Sequence, residues 1–391
     1  MSGRLGVIVA VRGDEEARAV ARIDGHPGLV VVRRCADLVE AVAVARAGLG
    51  RVVVLSDQPH LDADAVAAIR AAGAGIVGVG EAGRLEALGV RTAGEDLAAV
   101  VLGAVERPAP VFVPPPERGG GAIVAVWGSG GAPGRTTVAV NLAAEAAHAG
   151  HRSLLVDLDT YGASVATALG LADETAGIAA VVRAAARGDD AGSLVARHTL
   201  EVAPRLGVLT GLARAARWPE VTGPGLERTW PALRAAADVI VLDLAAPADA
   251  GAGGPGALGP RRDAATLAAL AEADAVVAVG SAEPHQLIRL VQALLDHEGP
   301  TPIVAVNRIR ASVAGARPED AIAAALGRHA GVSEVWPLPY DPRAADAAAR
   351  DGRILAEVAP RSPLRRAIAS MATVVVEAAR ASRDAPVAVT D

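Results

Sequence analysis

Residues 122–160 read AIVAVWGSGGAPGRTTVAVNLAAEAAHAGHRSLLVDLDT, and they constrain the fold more than any other stretch of the chain. An apolar run, 123–127, enters a loop that holds Gly128, Gly130, Gly131 and Gly134. Arg135, Thr136 and Thr137 then open an Ala-rich helical pattern, and a second apolar run ends in Asp157 and Asp159. Glycines let a backbone turn through unusual dihedrals and bring successive N–H groups onto one anion. The N-terminus of the following helix adds partial positive charge, and the Thr136 hydroxyl would complete the shell of a Mg2+ ion. Strand, loop, helix and acid-tipped strand together predict a phosphate-binding loop. Gly130, Gly131, Gly134, Arg135, Thr136 and Thr137 are its ligand-contacting candidates.

The acids extend the pattern. Asp243 closes the apolar run VIVLD, and a carboxylate at the end of a buried strand beside such a loop commonly holds the metal's water shell. Asp157 and Asp159 stand two residues apart at their strand end, and one of them is expected to face the site directly. Thr136, Asp157 and Asp243 are therefore the metal candidates. Asp159 would orient an attacking water, and with Arg135 it makes up the catalytic candidates.

Arg135 stands where a Lys is expected. The chain contains no lysine: all 38 residues of the Lys+Arg total are Arg. Arg neutralises phosphate bidentately, but its planar fork is not the point charge of Lys. The net charge of −6 supplies no basic field for nucleic acid, so DNA binding would need a local Arg patch. Cys35 is the only cysteine, which excludes an internal disulfide and a cysteine metal cluster. With no signal-peptide pattern and no apolar run near the ~20 residues of a spanning helix, a cytoplasmic protein without an integral membrane segment is expected.

Strand-like and helix-like runs alternate along the whole chain, which predicts two doubly wound parallel-sheet domains of the α/β class. In residues 1–106 the expected strands are 5–11, 29–33, 51–55 and 75–79, and the helices 14–23, 38–47, 63–72 and 95–105. Residues 107–121, RPAPVFVPPPERGGG, read as a linker stiffened by proline and released by glycine. The second domain spans 122–381, with further strands at 206–210, 239–242, 275–279, 303–306 and 334–338, and residues 382–391 read as a flexible tail. Residues 247–260, PADAGAGGPGALGP, are too glycine-rich for a packed element and read as a functional loop.

The runs GAPGRTTVAVNLA, LLVDLDTYGASVATALGL and DVIVLDLAAP resemble the MinD/ParA superfamily of deviant P-loop ATPases. Within it they look like the CpaE-like branch, the actinobacterial pilus-assembly or septum-site proteins. The later runs IVAVNRIR and PLPYDPRAADAAARDGRILAEVAP agree, and the likeness covers about residues 122–379. The resemblance implies a switch protein that binds ATP and Mg2+, sandwiches the nucleotide in a homodimer, and positions a pilus or secretion assembly, a septum or a chromosome. It makes Asn307 the adenine-reading residue and sets Pro339 in the loop beside the base. The family loop reads KGGxGKT. Here Gly130 replaces the lysine that reaches across the dimer and Arg135 replaces the one that bridges the phosphates. Charge stabilisation of this kind is worth roughly 10³-fold in rate or more, so binding should survive better than hydrolysis. A scaffold that has lost turnover altogether is the alternative. Arg261 and Arg262, after the 247–260 loop, are one source for the missing cation.

Residues 1–106 resemble a response-regulator receiver. Asp57 lies near the phospho-acceptor place, and Asp14 and Glu15 serve as its acidic pair. Gly80 follows the fourth strand in place of Ser or Thr, and no Lys follows the fifth. A phosphoryl charge on Asp57 would then lack an ion-pair partner, so this domain is expected to be a pseudo-receiver through which protein partners dock. His148 and His151 have no third ligand at metal spacing and read as a surface turn. Trp127, Trp218, Trp230 and Trp336 read as packing residues. The final helix, 364–379, is too Ala-rich and too poor in cations for a membrane anchor, and is expected to pack on the domain.

Overall fold

The computed structural model describes residues 4–58, 61–94, 96–106, 120–131, 133–172, 176–246 and 261–385. Most of the expected linker and all of the 247–260 loop lie outside these residues. The chain divides into two compact units, Met1–Glu117 with Ala184–Asp190, and Arg118–Arg183 with Ala191–Asp391. Both are α/β. The stretch Ala184–Asp190 falls inside the expected second domain but groups with the first unit.

The first unit is built on β1 (Leu5–Ala10), β2 (Leu29–Arg34), β3 (Val52–Ser56), β4 (Gly75–Val79) and β5 (Arg91–Thr92). The order is β2-β1-β3-β4-β5 and every pairing is parallel. That is the strand order of a receiver. A parallel strand covered on both faces reads as a continuous apolar run, and β3, VVVLS, is buried at all five positions. Its side chains divide by parity. Val53 and Leu55 pack with Ile8, Leu38, Ile69 and Leu85 on one face, Val52 and Val54 with Val7, Ile23, Leu97 and Val101 on the other. Asp37 and Asp62 cap their helices, accepting from the amides of Glu40 at 2.8 Å and Ala65 at 2.9 Å. The short helix Ala82–Ala87 and β5 occupy a span in which the sequence predicts no element. Both are too brief for periodicity to show.

The helix Ala82–Ala87 also corrects one expectation. Asp57 directly follows β3, and Arg84 Nη1 donates to its Oδ1 at 2.7 Å while Nη2 donates to the Leu61 carbonyl. The acid does have an ion-pair partner, supplied by the element after β4 rather than by a Lys after a fifth strand.

The second unit carries β6 (Ala122–Gly128), β7 (Ser153–Leu158), β8 (Leu200–Ala203), β9 (Leu206–Leu209), β10 (Val239–Leu244), β11 (Ala275–Ser281), β12 (Ile303–Ile309) and β13 (Val335–Pro339). Their order is β13-β12-β11-β6-β10-β7-β9-β8. All pairings are parallel except β8 with β9. The glycine loop leaves β6 and enters the helix Arg135–His148, which is buried at every position from Val138 to Ala147. That helix shares one face of the sheet with the final helix, Pro363–Asp384. Leu364, Ile368, Met371, Val375 and Ala379 are buried there, and Arg365 grips Glu145 through two bonds of 2.7 Å. The final helix thus packs on the unit as expected, but it runs to Asp384, into the residues expected to form the tail. The other face is covered by Ile178, Ala179, Val181 and Val182 of the helix Gly177–Arg187 and by the helices Trp230–Ala236 and Ala264–Glu272. No helix among the described residues is long and apolar enough to cross a membrane.

Candidate functional site

In open parallel sheets, ligands sit beyond the carboxyl ends of the strands, where the strand order reverses. Here those ends belong to β6, β10 and β7. The register sets Asp243 beside Val126 on one side and opposite Asp157 on the other. The sheet alone therefore brings the two acids to the end of the strand that feeds the glycine loop.

Within the loop, Gly131 and Gly134 adopt φ of 96° and 101°, which L side chains rarely reach. Gly134 also abuts the Asn307 side chain, whose Nδ2 donates to the Pro133 carbonyl at 2.9 Å. Asn307 is buried, and its Oδ1 accepts from the Arg308 amide at 2.8 Å. Its amide group thus holds the loop's exit. Gln286, on the helix Pro284–Leu295, holds the middle of the loop by donating to the Gly131 carbonyl at 3.2 Å. Trp127 fixes the far wall, its indole N–H reaching the Ala246 carbonyl at 3.0 Å. A Cβ built at Gly130 meets nothing nearer than the Ala246 Cβ, at 3.9 Å.

Thr136 Oγ1 donates to Asp243 Oδ2 at 2.7 Å and lies 3.0 Å from Ser164 Oγ. Arg135 is spread across the loop. Its Nη1 donates to the Ser129 carbonyl at 2.7 Å, its Nε to the Leu244 carbonyl at 3.1 Å, and its Nη2 lies 3.7 Å from Asp159 Oδ2. Asp159 accepts the amides of Tyr161 and Gly162, both at 2.8 Å, so it is locked in the turn after β7. Asp157 is 1% exposed and accepts the amides of Asp159 and Val165 at 3.1 and 3.0 Å. Thr137 lies in the helix's first turn, and its carbonyl accepts from Asn141 Nδ2 at 2.8 Å. Pro339 ends β13 and pairs with Ile309.

Burial drives the electrostatics. It pushes the Asp157 carboxyl up to about 7, against the amides of Val165, Asp159 and Ser164, which favour the charged form. Asp243 is held well above the ordinary carboxylate range, first by burial and then by the charge of Asp157. The Thr136 hydroxyl and Arg135 pull the other way. Asp159 and Asp243 both feel the guanidinium of Arg135. Asp243 Oδ1 and Ser129 Oγ are buried with no hydrogen-bond partner among the described residues, although buried polar atoms are nearly always paired. Carboxylate and hydroxyl oxygens suit a hard divalent cation, and Mg2+ characteristically takes one or two carboxylates together with substrate phosphates. The residues present fit Mg2+ with a nucleotide: Thr136 and Asp243 would hold the metal, and the loop from Ser129 to Thr137 the phosphates. Bound there, the metal would neutralise phosphate charge.

The structure brings together the loop, Arg135, Thr136, Asp157, Asp159, Asp243 and Asn307. Arg261 and Arg262 are committed elsewhere: Arg261 to Asp263 at 2.9 Å, Arg262 to the Thr160 carbonyl at 3.0 Å and over the Tyr161 ring at 4.1 Å. His148 Nδ1 lies 2.7 Å from the Ala144 carbonyl of its own helix. No group of three metal-binding side chains occurs among the described residues. Ser164 and Gln286 are additions that the sequence does not signal, since each meets the loop from a distant segment.

A family profile described as the CobQ/CobB/MinD/ParA nucleotide binding domain matches residues 123–354. Among solved structures, a ParA family ATPase from Chlorobium tepidum TLS is similar at 18% identity and a TM-score of 0.53, over 64% of this chain and 98% of that one. The cell division ATPase MinD of Pyrococcus furiosus is similar at 19% identity and a TM-score of 0.50, over 66% of this chain and 99% of that one. At such identities the two structures speak for the fold alone. No curated protein matches the chain. Since the profile covers more than half of the 391 residues, the chain belongs to the CobQ/CobB/MinD/ParA nucleotide-binding family.

Proposed function

We propose that this protein is a MinD/ParA-type switch that binds Mg·ATP at the loop 129–137, dimerises around it, and hydrolyses it slowly. The observation that carries the reading is the contact of Thr136 Oγ1 with Asp243 at 2.7 Å, beside an Asp243 oxygen that is buried and unpartnered. In their ligand roles, Gly130, Gly131, Gly134, Thr136 and Thr137 surround the phosphates. Thr136 and Asp243 hold the metal, with Asp157 behind them. Asn307 and Pro339 flank the base. Asp159 orients water and Arg135 supplies cationic charge. The CpaE-like branch supplies the biological setting: a cytoplasmic protein that positions a pilus or secretion assembly, a septum or a chromosome. In that setting the first unit is a pseudo-receiver that docks protein partners.

Slow turnover follows from Arg135. Two of its N–H groups are spent on the carbonyls of Ser129 and Leu244, and a third faces Asp159. The same ties support a second reading, a scaffold without turnover. Calorimetric titration with ATP and Mg2+, followed by sizing of the complex, tests the first. Saturable, Mg2+-dependent binding with a shift to dimer supports it. Absence of binding, together with no rise in melting temperature under Mg·ATP, leaves the scaffold.

A further inference from the structure

The glycine loop lacks a cation at Gly130, but a guanidinium stands beside the next residue. The helix Pro284–Leu295 runs past the loop. A Cβ built at Gly131 would lie 2.8 Å from Arg289 Nη1, so this guanidinium sits against the loop backbone. Arg289 is solvent-exposed, and among the described residues its guanidinium has neither a hydrogen bond nor an ion pair. One turn earlier on the same helix, Gln286 is 7% exposed, and its Oε1 is buried without a partner. Ser129 Oγ, in the loop, is in the same condition. An unpaired cation and two unsatisfied buried oxygens thus converge on one short piece of backbone.

Building on the proposed function, we propose that Arg289 supplies from a neighbouring helix the cation that the loop lacks at Gly130, and that it binds the polyphosphate of the nucleotide held by its own subunit. Arg is suited to this role because its fork can take two phosphate oxygens at once. Among the described residues it carries no intramolecular partner that must be given up, unlike Arg135, Arg261 and Arg262. The helix that carries it is already joined to the loop by the Gln286–Gly131 bond, so the charge is held in place without reaching across a dimer.

Hydrogen bonds to charged groups are worth about 1.5–3 kcal/mol, which corresponds to roughly tenfold or more in affinity. Arg289→Ala should therefore weaken Mg·ATP at least tenfold by calorimetry while leaving adenosine binding and the melting temperature unchanged, and Arg289→Lys should fall between that variant and the wild type. Gly130 has room for a side chain, so Gly130→Lys in the Arg289→Ala background should recover the loss. The double replacement of Arg261 and Arg262 by Ala should have no effect on ATP affinity. Wild-type ATP affinity in Arg289→Ala, or a larger loss on replacing Arg261 and Arg262, overturns the inference and leaves the proposed function standing. A wild-type chain that binds no ATP removes both.

Discussion

Two carboxylates occupy equivalent architectural positions in the two units, each at the carboxyl end of a central parallel strand, and they have opposite fates. Asp57 after β3 keeps 44% of its side chain exposed and is neutralised by Arg84 at 2.7 Å. Asp243 at the end of β10 is 1% exposed, lies in register with Asp157, and has an oxygen with no partner. The first acid is satisfied by its own unit. The second is part of an unfinished site, in which buried charge has been assembled without enough counter-charge. Folding does not build such an arrangement for stability; a cation arriving with a ligand would complete it.

The largest effect should come from a buried ion pair. Arg234 and Asp274, with side chains 6% and 0% exposed, meet at 2.7 Å, and Asp274 also accepts the Ile123 amide. Arg234→Ala should cost roughly 3–5 kcal/mol in denaturant unfolding, because it strands a buried charge. A cost under 1 kcal/mol would show that burial does not govern the energetics of the second unit.

Next comes the unfinished site itself. Mg·ATP at a hundredfold excess over its Kd should stabilise the wild type by about 2.7 kcal/mol. In Asp243→Asn that gain should vanish. The ligand-free variant should be at least as stable as the wild type, since it loses a repulsion with Asp157 and keeps an acceptor for Thr136. A ligand-free Asp243→Asn that melts well below the wild type would mean that the acid is structural.

For the satisfied acid, Arg84→Ala and Asp57→Ala should each change stability by less than about 1 kcal/mol, as expected of a half-exposed pair. Neither should alter Mg·ATP binding. A change in nucleotide affinity would break the contrast between the units.

The smallest effect is chemical. Burial pushes the Cys35 thiol up to about 11, with Glu40 adding to the shift and Arg33 opposing it. At pH 8 it should react with a thiol reagent on the order of a hundredfold more slowly than a free cysteine. A raised thiol stabilises the folded state below its unfolded value of 9.0 and loses that contribution as pH climbs to about 11. Unfolding free energy should therefore fall between those values, and rapid labelling of the native protein at pH 8 would contradict the buried environment.

What the sequence discloses follows from how local the signal is. β3, β4 and β7 are short runs of apolar residues covered on both faces, so composition alone marks them. β8 pairs antiparallel at the sheet edge with its first two residues exposed, and β5 has two residues, so neither leaves a pattern. The glycine loop and its acids are legible because each sits at the end of a recognisable strand. The partners are not. Arg84 meets Asp57 across 27 positions, Gln286 meets Gly131 across 155, and Thr136 meets Asp243 across 107. For that reason the sequence turns to Arg261 and Arg262 when it looks for a compensating cation, whereas the helix Pro284–Leu295 brings Arg289.

The helix Arg135–His148 has a further consequence. It begins at the loop, has no exposed residue from Val138 to Ala147, and is gripped near its far end by Arg365 of the final helix. The helix that receives the loop therefore shares one hydrophobic layer with the C-terminal helix, and a substitution in that layer bears on both.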